Sequence, residues 1–466
     1  MKRRQLLTGA LGLAATTVLP GCNDYGASKM PKPPAAATGP DGQKLLPWQN
    51  WSGYRSCLPE GRAAPETLDQ LASFMKAAKG PVRPVGSSHS FSELIPTDGT
   101  LLSLRNFSGV LSHDAAALTA TVGAGTRLSE LGEPLNAIGQ ALPNMPDIDS
   151  QTLGGALATG THGTGAGMGA LHSFVKGFQL VTPRGEVLEC SREKNPDIFD
   201  AGRVSLGALG AITQYTLQNV APFRARKRSW NVPLEEFYET WDALAAKHYS
   251  LDCYLIPQSG RAAIIAIDPT TDAGVPRAPN RDDDLVDLMR LSRNYLWRGA
   301  RHALFDTFIE HSPPTDEVEP SWKMFPTPRN IRFNEMEYHL PREALLPVLK
   351  KVKNVVDVRH PEIFFVIEVR VVKGDLAWLS PFYQHETSGS IAVHQYYKEY
   401  PLDYFADVEP LYQDVGGRPH WGKMNTLDGA TLAARYPRWK DFCAVRAQLD
   451  PEGKMLNPYL KRIFNA

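Results

Sequence analysis

From Thr67 to Ala78 the apolar residues Leu68, Leu71, Ala72 and Met75 recur at helical spacing, and a short strand from Val82 to Val85 then enters a Gly/Ser turn. Further strands are predicted at Leu101 to Leu104 and Leu118 to Val122. A hairpin pairs Phe178 to Thr182 with Glu186 to Glu189 across Pro183-Arg184-Gly185, and Ile212 to Val220 closes this mixed α+β unit. After Pro222 the pattern lengthens. Helices are predicted over Leu234 to Lys247 and Arg342 to Val355, and strands over Leu251 to Ile256, Ala262 to Ile267, Phe364 to Val372 and Ser390 to Tyr397. The boundary falls near residues 221 to 225, no internal repeat is visible, and the Pro-rich, charged run Asp268 to Asp284 reads as a surface excursion.

The 466 residues suffice for two or three structural units, and 42% hydrophobic content supplies their cores. Lys+Arg and Asp+Glu both total 50, and no basic block stands ready to displace counterions from a nucleic acid, so nucleic-acid binding is not expected. Paired arginines, Arg3-Arg4, precede an apolar run from Leu6 to Leu19 that is too short to span a bilayer, which reads as a twin-arginine export signal over residues 1 to 22. It ends in Leu19-Pro20-Gly21-Cys22, similar to a lipoprotein cleavage site, although Pro20 departs from the usual small residue. The expected product is a periplasmic protein tethered to a membrane through lipidated Cys22, with residues 23 to 47 as a flexible linker. Cys57, Cys190, Cys253 and Cys443 are widely spaced, so they form no metal-ligand pair, no metal is predicted, and packed thiols are the simpler reading.

Four segments carry candidate chemistry. Pro84-Val85-Gly86-Ser87-Ser88-His89-Ser90 is a turn whose successive N–H groups can face an anion. Gln151-Thr152-Leu153-Gly154-Gly155 through Gly160-Thr161-His162-Gly163-Thr164-Gly165 holds enough glycine for backbone to approach a flat ligand, yet lacks the strand and spacing of a nicotinamide-dinucleotide fingerprint. Glu368 and Arg370 are two apart on one strand and so share a face, as do His394 and Tyr396 on another; the alternatives are a buried ion pair or a polar pocket. The tetrapeptide His420-Trp421-Gly422-Lys423 lies in a short connection.

The first two segments resemble the FAD-binding domain of the vanillyl-alcohol-oxidase superfamily, over most of residues 45 to 222. His-Trp-Gly-Lys and Asp450-Pro451-Glu452-Gly453-Lys454 resemble its aldonolactone and alditol oxidase branch. The resemblance implies an α+β architecture: a two-subdomain PCMH-type FAD-binding domain over 48–222, then an α+β substrate domain with an antiparallel sheet over 223–466 whose C-terminal segment returns to the flavin. It implies that Pro84 to Ser90 bind the pyrophosphate, with His89 bonded covalently to the flavin. Thr152, Gly160, Thr164 and Gly165 would form a second FAD-contacting loop and Ile212 a backbone contact. Glu368, Arg370, His394 and Lys423 would line the substrate pocket, Lys423 favouring the reduced flavin, with His394 or His420 assisting proton loss from a carbinol whose hydride passes to the flavin. The expected substrate is a sugar lactone such as D-arabinono-1,4-lactone. A polyol such as xylitol is the alternative, although Tyr396 stands where alditol oxidases carry threonine. Electrons would pass to O2, a quinone or a cytochrome, and the rival from another class is a sugar-binding lipoprotein without redox chemistry.

Overall fold

The computed structural model describes residues 24–277 and 282–465, so the predicted signal and Cys22 lie outside the described residues. The first unit is built on two main sheets. Gly61–Ala63, Thr100–Ser103 and Val82–Val85 run parallel, backed by helix Leu68–Ala77, whose Leu71 and Met75 pack on Val82. That helix starts where the side chain of Thr67 accepts the Gln70 N–H. The second sheet is antiparallel, in the order Val187–Ser191, Val175–Val181, Ala211–Gln218, Thr119–Gly123, Val110–Asp114. The predicted hairpin is its first pair.

The second unit is built on a nine-stranded sheet that runs Thr315–Pro320, Arg224–Pro233, Arg261–Thr270, Ser250–Leu255, Ile367–Lys373, Thr387–Tyr396, Phe333–Pro341 and Arg418–Pro419. Gly165–Gly169 adds in parallel to Ile367–Lys373, so a strand from the first unit completes the sheet of the second. One face is apolar: Cys253, Ile264, Val369, Val371, Ile391, Val393 and Met336 are buried. Helix Leu345–Asn354 covers this face, where a Cβ on Gly389 would lie 2.6 Å from the Leu345 side chain. Period two then puts Asp252, Glu368, Arg370, Glu335, Glu337 and His394 together on the opposite face.

Three differences from the sequence reading have physical causes. Arg224–Pro233, Thr315–Pro320 and Phe333–Pro341 are strands the pattern analysis did not claim. Arg224–Pro233 starts at the proposed boundary and continues the fold through it. Residues 24–47, expected to be a flexible linker, instead form a short 3-10 turn and a two-stranded pair because they dock: Tyr25 donates to Asn294 at 3.0 Å, and Lys29 pairs with Asp403 at 2.5 Å. The run from Asp268 begins as strand, which extends to Thr270. Cys57, Cys190, Cys253 and Cys443 are free thiols.

The C-terminal segment does return to the first unit. Val82 donates to Lys454 O at 2.8 Å, Asn457 Nδ2 donates to Glu93 O and Pro96 O at 2.7 and 2.8 Å, and Met455 is buried against Leu71 and Met75.

Candidate active site

A groove crosses the first unit where strand Val82–Val85 ends. The turn Pro84-Val85-Gly86-Ser87-Ser88-His89-Ser90 forms one wall; Thr152, Gly154, Gly155, Gly207 and Ile212 line the rest. Ser88 takes a left-handed conformation at φ 64° and accepts from Trp48 Nε1 at 3.0 Å. Gly86 is dictated by contact, since a Cβ there would sit 2.1 Å from Thr152 Oγ1. A slot walled by backbone and small side chains fits a flat, phosphate-bearing group. A second mark of fit is Gln151 Oε1, a buried acceptor without a protein partner at one end of this slot.

His89 faces the groove from the turn. Its ring stacks on Trp51 at 4.9 Å between centroids, and its Nε2 lies 2.7 Å from Ser150 Oγ. Burial, with the positive charges of Lys423 and Arg127, lowers its pKa to about 4, so the imidazole is neutral at physiological pH. Gly160, Thr164 and Gly165 are not part of the groove wall. Thr164 Oγ1 donates to Leu251 O at 2.6 Å, Gly165 pairs with Val372, and Gly160 abuts Pro381. Each of the three thus contacts the second unit, Thr164 and Gly165 through its sheet and Gly160 through Pro381.

The charged sheet face bounds a second cavity of about 360 Å³. Ile148, Gln151, His420 and Lys423 line both this cavity and the groove, which therefore meet at those side chains. Glu368, Arg370, His394 and Lys423 all line this cavity, together with Asp252, Glu335 and Glu337, which sequence reasoning missed. Arg370 donates to Glu368 at 2.5 Å and to Asp252 at 2.8 Å, so the two side chains of this strand are bonded to each other inside the pocket. Lys423 is ion-paired with Glu335, and Glu337 accepts from Ser390 Oγ at 2.6 Å. Five carboxylates, Asp147, Asp252, Glu335, Glu337 and Glu368, face four cations, Lys227, Arg329, Arg370 and Lys423. Burial and the neighbouring Asp252, Asp147 and Glu335, opposed by Arg370, push the Glu368 carboxyl up to about 8. Glu337 is instead held well below the usual carboxylate range: burial opposes ionisation, but His162, whose Nε2 lies 3.0 Å from it, outweighs it.

Hydrogen-bond partners assign the two candidate histidines different roles. His394 Nδ1 lies 3.1 Å from Val366 O, so it carries the proton and leaves the Nε2 lone pair in the cavity, 3.7 Å from Glu335. His420 Nδ1 accepts the Gly422 N–H at 2.9 Å, so its proton resides on Nε2. Burial lowers the pKa of both. Neutral His394 can take a proton at Nε2, whereas neutral His420 offers the cavity only an N–H hydrogen-bond donor. Tyr396 is not among the residues lining the cavity; its ring packs near Phe364 and under Arg290.

A backbone-walled slot joined end-on to a charged cavity defines a two-domain FAD-binding oxidoreductase, and FAD is its cofactor; the sequence model of an FAD binding domain matches residues 59–191. The chain belongs to the D-arabinono-1,4-lactone oxidase family, whose model matches residues 215–463. It is 35% identical over 429 residues to an L-gulono-1,4-lactone dehydrogenase of Mycobacterium tuberculosis, covering 90% of this chain and 99% of the relative. It is 30% identical to an L-gulonolactone oxidase of Bos taurus (91% and 99% covered) and 29% identical to an alditol oxidase of a Streptomyces species (89% and 98%). A solved structure of a solvent-stable cholesterol oxidase shares the fold, with a TM-score of 0.74 at 17% identity, covering 90% of this chain and 97% of the other.

Proposed function

We propose that this protein oxidises a sugar lactone, D-arabinono-1,4-lactone or a related aldonolactone, at a carbinol carbon. The carrying observation is that groove and charged cavity meet at Gln151, His420 and Lys423. When bound, the flavin accepts the two electrons of the oxidation. The chain's own residues do the rest. Arg370 and Glu335 meet substrate oxygens, because a sugar oxygen buried without a partner costs about 1–3 kcal/mol. His394 Nε2 accepts the hydroxyl proton, and Lys423 holds positive charge at the junction of the two spaces. The alditol alternative is less favoured, since two of the three relatives compared above are named for gulonolactone.

His89 is the proposed site of covalent attachment. It is neutral, it is held in place by Ser150 and Trp51, and it opens on the groove. Export, a periplasmic location and tethering through Cys22 belong to the same proposal, supported by Arg3-Arg4 and the sequence around Cys22, as does electron delivery to O2 or to a quinone or cytochrome.

An absorption spectrum before and after acid precipitation tests both parts. The expected result is flavin that stays with the pellet, is released in His89→Ala, and bleaches anaerobically with arabinono- or gulonolactone but poorly with xylitol. Lys423→Met should abolish rapid bleaching with flavin content unchanged; unchanged bleaching would remove Lys423 from the reaction.

A further inference from the structure

Five of the eleven large hydrophobic side chains exposed among the described residues fall within residues 291–308: Leu291 (52% exposed), Tyr295 (60%), Trp297 (77%), Leu304 (36%) and Phe308 (47%). They belong to two successive helices, Asp282–Tyr295 and Arg298–Glu310, with Trp297 as N-cap of the second. On that helix, Trp297, Leu304 and Phe308 are spaced by seven and four residues, which at 3.6 residues per turn aligns them on one stripe. The buried stripe, Arg301, Phe305 and Ile309, lies beside it, about 80° round the helix. Packing therefore leaves the exposed stripe unexplained, and apolar clustering of this kind marks a contact surface.

Two further observations identify what covers it. The chain enters the fold on this same helix pair: the Arg293 guanidinium lies 4.0 Å from the centre of the Tyr25 ring, and Tyr25 bonds Asn294. Cys22, preceded by the apolar run Leu6 to Leu19, is three residues upstream, a reach of at most about 11 Å for extended chain. Any anchor formed there enters the bilayer beside these helices. The stripe also reaches the charged cavity. Phe308, half exposed, lines the charged cavity with Val286, Ile309 and Ile265, so the cavity has an apolar arm beneath the helix pair, remote in character from the acidic end.

We propose that Leu291, Tyr295, Trp297, Leu304 and Phe308 form a docking face for a lipid bilayer, with tryptophan and tyrosine at headgroup level and the aliphatic residues below. The face goes beyond the lactone reading and does not require it. It sets the apolar arm of the cavity open to molecules dissolved in the membrane.

The test uses the full-length flavin-loaded protein on vesicles of phosphatidylethanolamine and phosphatidylglycerol with brominated acyl chains, reading tryptophan emission. Brominated lipid should quench a component of the emission, and that component should be missing in Trp297→Phe. In a Cys22→Ser background, Tyr295→Ser with Leu304→Ser should lower the vesicle-bound fraction at least tenfold while flavin absorbance and melting temperature stay as in the parent. Equal quenching in Trp297→Phe and the parent, or an unchanged bound fraction, would overturn the proposal. So would shielding of Trp297 from acrylamide in vesicle-free protein, since the chain's own N-terminal segment or a second copy would then cover the stripe.

Discussion

Glu368 shows how the cavity uses protons. Folded, its carboxyl holds a proton up to about pH 8, against an ordinary value of 4.5. Between those values the folded state binds more protons than the unfolded, so this group's contribution to stability falls as pH rises, by up to about 1.4 kcal/mol per unit. Glu368→Gln, which cannot ionise, should therefore gain stability relative to the parent between pH 5 and pH 8.5; parallel urea denaturation curves at the two pH values would refute the shift. The histidines act with the opposite sign. His89, His394 and His420 have depressed folded pKa values, so their neutral forms support the fold above about pH 6.5 and that support is lost as pH falls. For His394 the same depression sets catalysis. His394→Gln should lower kcat by about 10²–10⁴ with little change in KM, and should erase the acid limb of the kcat/KM profile, which in the parent falls below pH 6.5.

At the scale of elements, alternation was the legible signal where it was read. Helix Leu234–Lys247 and strands Ile367–Lys373 and Thr387–Tyr396 fall close to where the sequence puts them. Phe333–Pro341 was missed although it alternates from Glu335 to Leu340, Met336, Tyr338 and Leu340 against Glu335, Glu337 and His339. Its charges suggest solvent, yet every residue from Phe333 to Leu340 is buried, because the partners of Glu335 and Glu337 arrive from positions such as Lys423, Ser390 and His162. Such compensation across 53 to 175 positions leaves no local trace. The composition of the glycine-rich segment announced close approach, and at Gly165 the close neighbour is Tyr249 O. Gly389 carries a cleaner prediction. Its backbone is not in the left-handed region, so Gly389→Ala acts only by driving a Cβ into Leu345, and it should destabilise by about 1–3 kcal/mol. Leu345→Ala should recover part of that loss in the double variant, and strictly additive denaturation energies would contradict the contact.

For the molecule as a whole, the question is what closes the two units around one cofactor. Much of the closure passes through Arg83, which is fully buried and makes no ion pair among the described residues. Its guanidinium donates to four carbonyls from three distant stretches: Leu94 at 2.8 Å, Leu206 at 2.6 Å, Gly207 at 2.8 Å and Met455 at 2.5 Å. Burial lowers its pKa to about 9, which still leaves it charged at neutral pH. The planar fork thus ties the start of the groove turn to the Leu206-Gly207 wall and to the returning C-terminal segment. Arg83→Met would keep the packing and strip donors from all four carbonyls, each unpaired group costing about 1–3 kcal/mol less whatever water recovers. Arg83→Lys should rescue little, because one ammonium with three tetrahedral donors cannot reproduce the planar set. The expected outcome for both variants is a lower melting temperature and early proteolytic cleavage between residues 449 and 457, with flavin incorporation impaired before the second unit unfolds. Cleavage that instead begins in the helices of the second unit would mean that the C-terminal return is held by its own contacts, through Lys454 and Asn457, and that Arg83 serves the groove alone.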